Sequence, residues 1–260
     1  MHEAVATRRF FEISGTRSRL VPAIVAIVVA GLLMEGMLRL GRVPARWLYE
    51  NGPPSWDDRA WIYVGLAILF QAILGLIGIG VMKTVLPRAD AHLRWPPGRT
   101  LAGLGFVIGI GMALVMLVAD YWPQLLLGEP FDTLYATNPV DATGWLVSMA
   151  ITGLAEETIF RGLLVGGLVL FVTGRVRAGR FDVSLAGVVV ALLFCVAHWR
   201  TFVVEPLHMA VAQQSYAFAW GLVYVWLMER SRSLLAPIIA HGTGNAIEVG
   251  LVMLLSVAAG

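Results

Sequence analysis

The chain alternates between long apolar runs and short charged connections. That alternation constrains its fold more than any single residue does. Apolar runs lie at about 20–38, 60–81, 100–119, 142–172, 183–199, 209–228 and 234–257. A helix needs about 20 apolar residues to cross the hydrocarbon core of a bilayer. With 58% hydrophobic and only 14% charged residues, against about 25% charged in soluble domains, the chain reads as membrane-embedded. The expected fold is all-α: a polytopic transmembrane helical bundle of about seven spans, or eight if the first outer connection dips into the membrane. Residues 1–19 read as a basic cytoplasmic N-terminus and 20–260 as a single transmembrane domain. No cleavable signal peptide is evident. The single cysteine, Cys195, excludes an intrachain disulfide and a cysteine-rich metal site.

Basic residues set the expected orientation. Arg8, Arg9, Arg17, Arg19, Lys83, Arg88, Arg94, Arg99, Arg175, Arg177, Arg180, Arg230 and Arg232 fall on one side of a seven-span chain. Only Arg39, Arg42, Arg46, Arg59 and Arg200 fall on the other. The positive-inside rule then puts the N-terminus in the cytoplasm and the C-terminus outside. The acidic connection at 120–141 carries Asp120, Glu129, Asp132 and Asp141 and lies outside. Residues 173–182 read as a loop. Glu35, near the end of the first run, reads as an interfacial partner of Arg39. Gly105 and Gly109 have the spacing of small residues that lets helices approach closely.

Three charges interrupt the fourth run, which at roughly 31 residues must tilt, protrude or be broken. They are Glu156, Glu157 and Arg161. An ionised side chain at the bilayer centre costs roughly 2.5–3.5 kcal/mol on insertion scales, so each needs a partner or a task. Glu157 and Arg161 are four apart and share a helix face, so they can pair. Glu156 lies about 140° around the helix from Arg161 and points elsewhere. Glu157 and Arg161 thus read as a structural pair, and Glu156 as facing a polar cavity. The bland account of the same residues is a polar clamp between helices.

Two further runs carry polar groups at depth. Phe194 and His198 are four apart on the fifth, so the ring can pack on the imidazole and fix it. His241 and Asn245 share a face of the seventh, with Gly242 and Gly244 leaving room for another backbone; Glu248 follows near that face. If the fourth, fifth and seventh helices converge, a carboxylate, two imidazoles and an amide meet in one cavity. A partly desolvated carboxylate can take a proton from water, and His and Asn can hydrogen-bond an oxyanion. Counted from the cytoplasmic side, Glu156 and His198 lie about 15 residues deep and His241 about 7. That is a mismatch of order 12 Å to be absorbed by tilt or by a longer seventh helix.

Glu156-Glu157-xxx-Arg161, Phe194-xxx-His198 and His241-xxx-Asn245, in that order and each on its own apolar run, resemble the CPBP intramembrane endopeptidases. These include the type II CAAX prenyl proteases and the bacterial Abi-type proteins. The likeness spans 156–245, under half the chain, within an expected core at about 140–257. It implies a glutamic-type intramembrane protease in which Glu156 activates the hydrolytic water and His198 helps to hold it. His241 and Asn245 would stabilise the oxyanion, and Glu157, Arg161 and Phe194 would shape the site. Two histidines and a glutamate can bind zinc, yet there is no His-Glu-x-x-His run, so no metal or other cofactor is expected. The resemblance further implies a bacterial inner (plasma) membrane location and a membrane protein or peptide substrate, lipidated or not. Nothing points to nucleic acid, and the oligomeric state is unread. Two other functions fit the same runs: a non-catalytic immunity or scaffold protein of this fold, and a proton-coupled transporter. Against the transporter, the two halves show no internal repeat.

Overall fold

The structure, a computed structural model, describes residues 11–16, 19–128, 131, 133 and 135–259. Arg8, Arg9, Arg17, Glu129 and Asp132, used above for charge placement, lie outside the described residues.

Long helices dominate: α1 (Leu20–Glu50), α2 (Ala60–Val85), α3 (Ala102–Leu127), α4 (Pro139–Glu157), α6 (Leu185–Ala197), α8 (Leu207–Ser231) and α9 (Leu235–Ala259). The short helices α5 (Gly166–Leu168) and α7 (Thr201–Val204) complete the set. The helical segments Leu20–Glu50, Ala60–Val85, Ala102–Leu127, Leu185–Val204 and Leu235–Ala258 are long and apolar enough to cross a membrane. The helices α4 and α8, read as spans from the sequence, fall outside that set. Both carry polar residues within the run: Asp141, Glu156 and Glu157 on α4, and His208, Gln213, Gln214 and Ser215 on α8. Outward faces of α1 and α3 are apolar, with Val21, Leu32, Val107 and Val118 exposed, as a bilayer requires.

The expected loop at 173–182 is instead a hairpin of β2 (Arg175–Ala178) and β3 (Phe181–Ser184), turning at Gly179 with φ 58°. β1 (Phe11–Ser14) joins it, giving a three-stranded antiparallel sheet in the order β1-β2-β3. Part of the N-terminal segment is therefore tied to the bundle. Arg175 binds Asp182 at 2.7 Å and Glu229 at 2.8 Å, which fastens the hairpin to the end of α8. Burial alone would raise the Asp182 carboxyl; the guanidiniums of Arg177 and Arg175 overcome it and hold the group below the usual carboxylate range.

Other boundaries also move. α1 runs on to Glu50, past Pro44, and α3 to Leu127, bending at Tyr121 before Pro123. Asp120 thus lies on a helix, not in a loop. Glu35 does pair with Arg39. Gly105 and Gly109 meet the carbonyls of Ala236 and Ala240, so α3 lies against α9 as the small-residue spacing predicts.

The fourth run is continuous from Pro139 to Leu168, but its pattern breaks. Asn138 caps it by accepting from Asp141 N at 3.1 Å, with Pro139 in the first turn. Thr158–Val165 then widens to a π-helix, a form frequent at functional sites.

The connection between α2 and α3 is partly buried and anchored to the bundle. Ala89 and Ala91 are enclosed, and Gly166 accommodates the Asp90 carbonyl. His92 O accepts from Leu234 N at 3.1 Å, and Arg94 O from the Ser233 hydroxyl at 2.5 Å. The start of α9 is thus sunk beneath this connection. Counting residues from the ends of apolar runs misplaces His241 for that reason.

Candidate active site

The site begins where α4 and α9 touch. A methyl group on Gly242 would lie 2.1 Å from the Ala150 carbonyl oxygen, and one on Gly153 would lie 2.5 Å from the Ile238 oxygen. Only backbone without Cβ atoms permits this approach. It brings His241 Nε2 to 3.7 Å from Glu156 Oε2 and His241 Nδ1 to 2.8 Å from Glu157 Oε1. The depth mismatch read from the sequence is absent. Gly242→Ala should force the two helices apart. The expected cost is about 1–3 kcal/mol from overpacking. A reaction that depends on this meeting should slow about 10²-fold, since an ångström of misplacement suffices for that. Thermal denaturation and turnover of the purified variant check both.

Glu157 and Arg161 are fully buried and pair at 3.0 Å, as their spacing predicts. Arg161 also donates to Gly221 O at 3.2 Å. Its guanidinium lies 4.6 Å from the Phe194 ring centre and 4.9 Å from that of Tyr224. Such stacking suits a planar, weakly hydrated cation. One oxygen, Glu157 Oε1, accepts from both Arg161 Nη1 and His241 Nδ1. The pair therefore fixes the His241 ring, which also stacks on Tyr224 at 4.9 Å with 10° between planes.

His198 sits just past the end of α6. Ser184 starts that helix by accepting from Gly187 N at 3.0 Å. Gln214 ends it by donating to His198 O at 3.0 Å. The imidazole lies against Phe194 at 5.0 Å, and its Nδ1 is 2.8 Å from Phe194 O. A carbonyl oxygen only accepts, so Nδ1 donates this bond and Nε2 is left to face the cavity.

Glu156, Phe194, His198, His241 and Asn245 line one cavity of about 190 Å³, room for several waters. Glu157 and Arg161 lie behind its wall. No arginine or lysine lines it. Glu248, read from the sequence as near the His241 and Asn245 face, also lines it; Tyr135, Gln213, Tyr216, Trp220 and Tyr224 in the wall were not legible as such. Tyr216 Oη is 2.9 Å from Asp120 Oδ2 and 2.7 Å from Gln213 Oε1. The glutamines and Tyr216 on α8 were the available signal, as uncommon polar groups within an apolar run. Among the described residues, no three His, Cys, Asp or Glu side chains gather as a metal-binding group.

Residues 138–247 match the model of the family described as type II CAAX prenyl endopeptidase, Rce1-like. The cavity-forming segment is similar to that family. The match takes in every motif residue from Glu156 to Asn245 and stops one residue short of Glu248. The family name denotes endopeptidases, in keeping with a membrane-embedded protease. No curated protein and no solved structure matches the chain.

Proposed function

We propose that this chain is an intramembrane endopeptidase of glutamic type, acting on a membrane-associated protein or peptide. The observation that carries this reading is the meeting of Glu156, His198, His241 and Asn245 around one cavity, with Glu156 and His241 3.7 Å apart.

The groups divide the work by their hydrogen-bond capacities. Glu156 is the one carboxylate of the motif open to the cavity, with a side chain 19% exposed. It takes a proton from water while His198 Nε2 accepts the second water hydrogen. The oxygen so activated adds to the scissile carbonyl carbon, and negative charge moves to the carbonyl oxygen. The Asn245 amide, which has no hydrogen bond within the protein among the described residues, donates to that oxyanion. His241, held at Nδ1 by Glu157, presents Nε2 to the same oxyanion as a second donor. Collapse of the intermediate breaks the C–N bond, and the proton held by Glu156 passes to the leaving amine. Water, Glu156 and the peptide account for every atom, and the reading requires no metal ion.

The charge bias of the connections supports a cytoplasmic N-terminus, and the family likeness supports a bacterial inner membrane. The reading is tested by reconstituting the purified protein with membrane proteins from a host lacking it. New peptide termini, formed equally with and without a zinc chelator, are expected. Their absence overturns the protease reading, and their loss on chelation overturns the metal-free mechanism.

A further inference from the structure

A second cleft, of about 500 Å³, opens at the end of the bundle where α8 stops and α3 starts. Arg99, Arg230 and Arg232 line it together with Pro97, Gly98 and Leu101. Three like charges converge, and among the described residues no carboxylate lines the cleft. The acidic groups on the neighbouring elements are already engaged. Asp90 holds Arg94 at 2.6 Å, and Glu229 holds Arg175 at 2.8 Å. Among the described residues, none of the three guanidiniums has a carboxylate partner.

The cleft is also built rather than merely basic. Arg230 lies over the Trp226 ring at 5.4 Å, which orients its fork. Arg232 adopts φ 55°, a conformation that glycine ordinarily fills after a helix. Arg94 Nε grips the Arg232 carbonyl at 3.1 Å, and Ser231, buried, donates back to the end of α8. Leu101, at φ 54°, precedes the 26-residue helix α3 and places that helix's positive end at the cleft. A simpler account has Arg230 and Arg232 complementing the negative end of α8. It leaves Arg99 and the missing counter-charge unexplained.

The surroundings indicate what supplies the counter-charge. Leu93 and Trp95, on the same connection as Arg99, expose 54% and 74% of their surface. Apolar and indole groups beside arginines, at the end of a membrane bundle, suit the headgroup level of a bilayer. We propose that this cleft binds the phosphate of an anionic phospholipid headgroup, with its acyl chains lying along the apolar side. The proposal is independent of the protease reading.

Purified full-length protein in neutral detergent, titrated with phosphatidylglycerol and followed by native mass spectrometry, tests it. Wild type and the exposed-arginine control Arg180→Gln should bind alike, and phosphatidylcholine should bind far more weakly. Each of Arg99→Gln, Arg230→Gln and Arg232→Gln should weaken binding about fivefold, and the triple variant about 10²-fold, at roughly 1 kcal/mol per guanidinium. The single variants keep the test valid if the triple variant does not fold. Equal affinity in the variants, or equal binding of phosphatidylcholine, overturns the proposal. Displacement of the lipid by millimolar inorganic phosphate identifies a soluble anion as the ligand and overturns it as well.

Discussion

Glu156→Gln should lower peptide-bond hydrolysis by about 10²–10⁴-fold, the range ascribed to a positioned general base. The amide keeps the size and hydrogen-bonding reach of the carboxylate but cannot take a proton from water. Yield, thermal stability and substrate KM should stay near wild type, because Glu156 faces the cavity and is not held in the buried ion pair. His198 is another group in the cavity able to accept a proton. If His198 were the base, Glu156→Gln would retain most activity and His198→Gln would remove it. Turnover of the two variants therefore separates the assignments.

Arg161→Ala should destabilise the protein by about 3–5 kcal/mol, the usual cost of removing one member of a buried ion pair. Arg161 is fully buried, bonded to Glu157 and Gly221, and stacked between Phe194 and Tyr224. Its loss strands the Glu157 charge and empties a large volume. Arg161→Lys should not rescue it, since an ammonium cannot pair and stack at once. The double variant Glu157→Leu with Arg161→Met should regain much of the stability, because a well-packed apolar pair can replace a buried ionic one. It should remain poorly active, because His241 Nδ1 loses its acceptor. Thermal denaturation beside turnover checks this. Full activity in the double variant would show that Glu157 does not position His241.

Local spacing made the pair and the cavity-facing carboxylate legible. Glu157 and Arg161 share a face whether the turn is α or π, so the π segment did not spoil the inference. Phe194 with His198, and Gly242 between His241 and Asn245, were likewise readable because each acts within one turn of helix. What the sequence hid depends on distant partners. β1 pairs with residues more than 160 positions away, and its four residues carry no recognisable strand signal alone. The alternation Arg175, Val176, Arg177, Ala178 is the pattern of a half-buried strand, but so short a run is indistinguishable from a basic loop. The connection at 86–101 is rich in proline and arginine, so its anchored part around Ala89 and Ala91 does not stand out in the sequence. Only the bonds from His92 and Arg94 to the start of α9 reveal its depth. Tyr224 supports the site from α8 by stacking on His241, and nothing local marks it for that task.

The most direct measurement compares peptide termini in membranes and secreted protein from the native host, carrying either wild-type protein or Glu156→Gln at equal expression. The account predicts at least one terminus present with wild type and missing with the variant. Identical termini, with Glu156→Gln also restoring any defect of the deletion strain, would contradict it and leave a protein whose cavity binds without cutting.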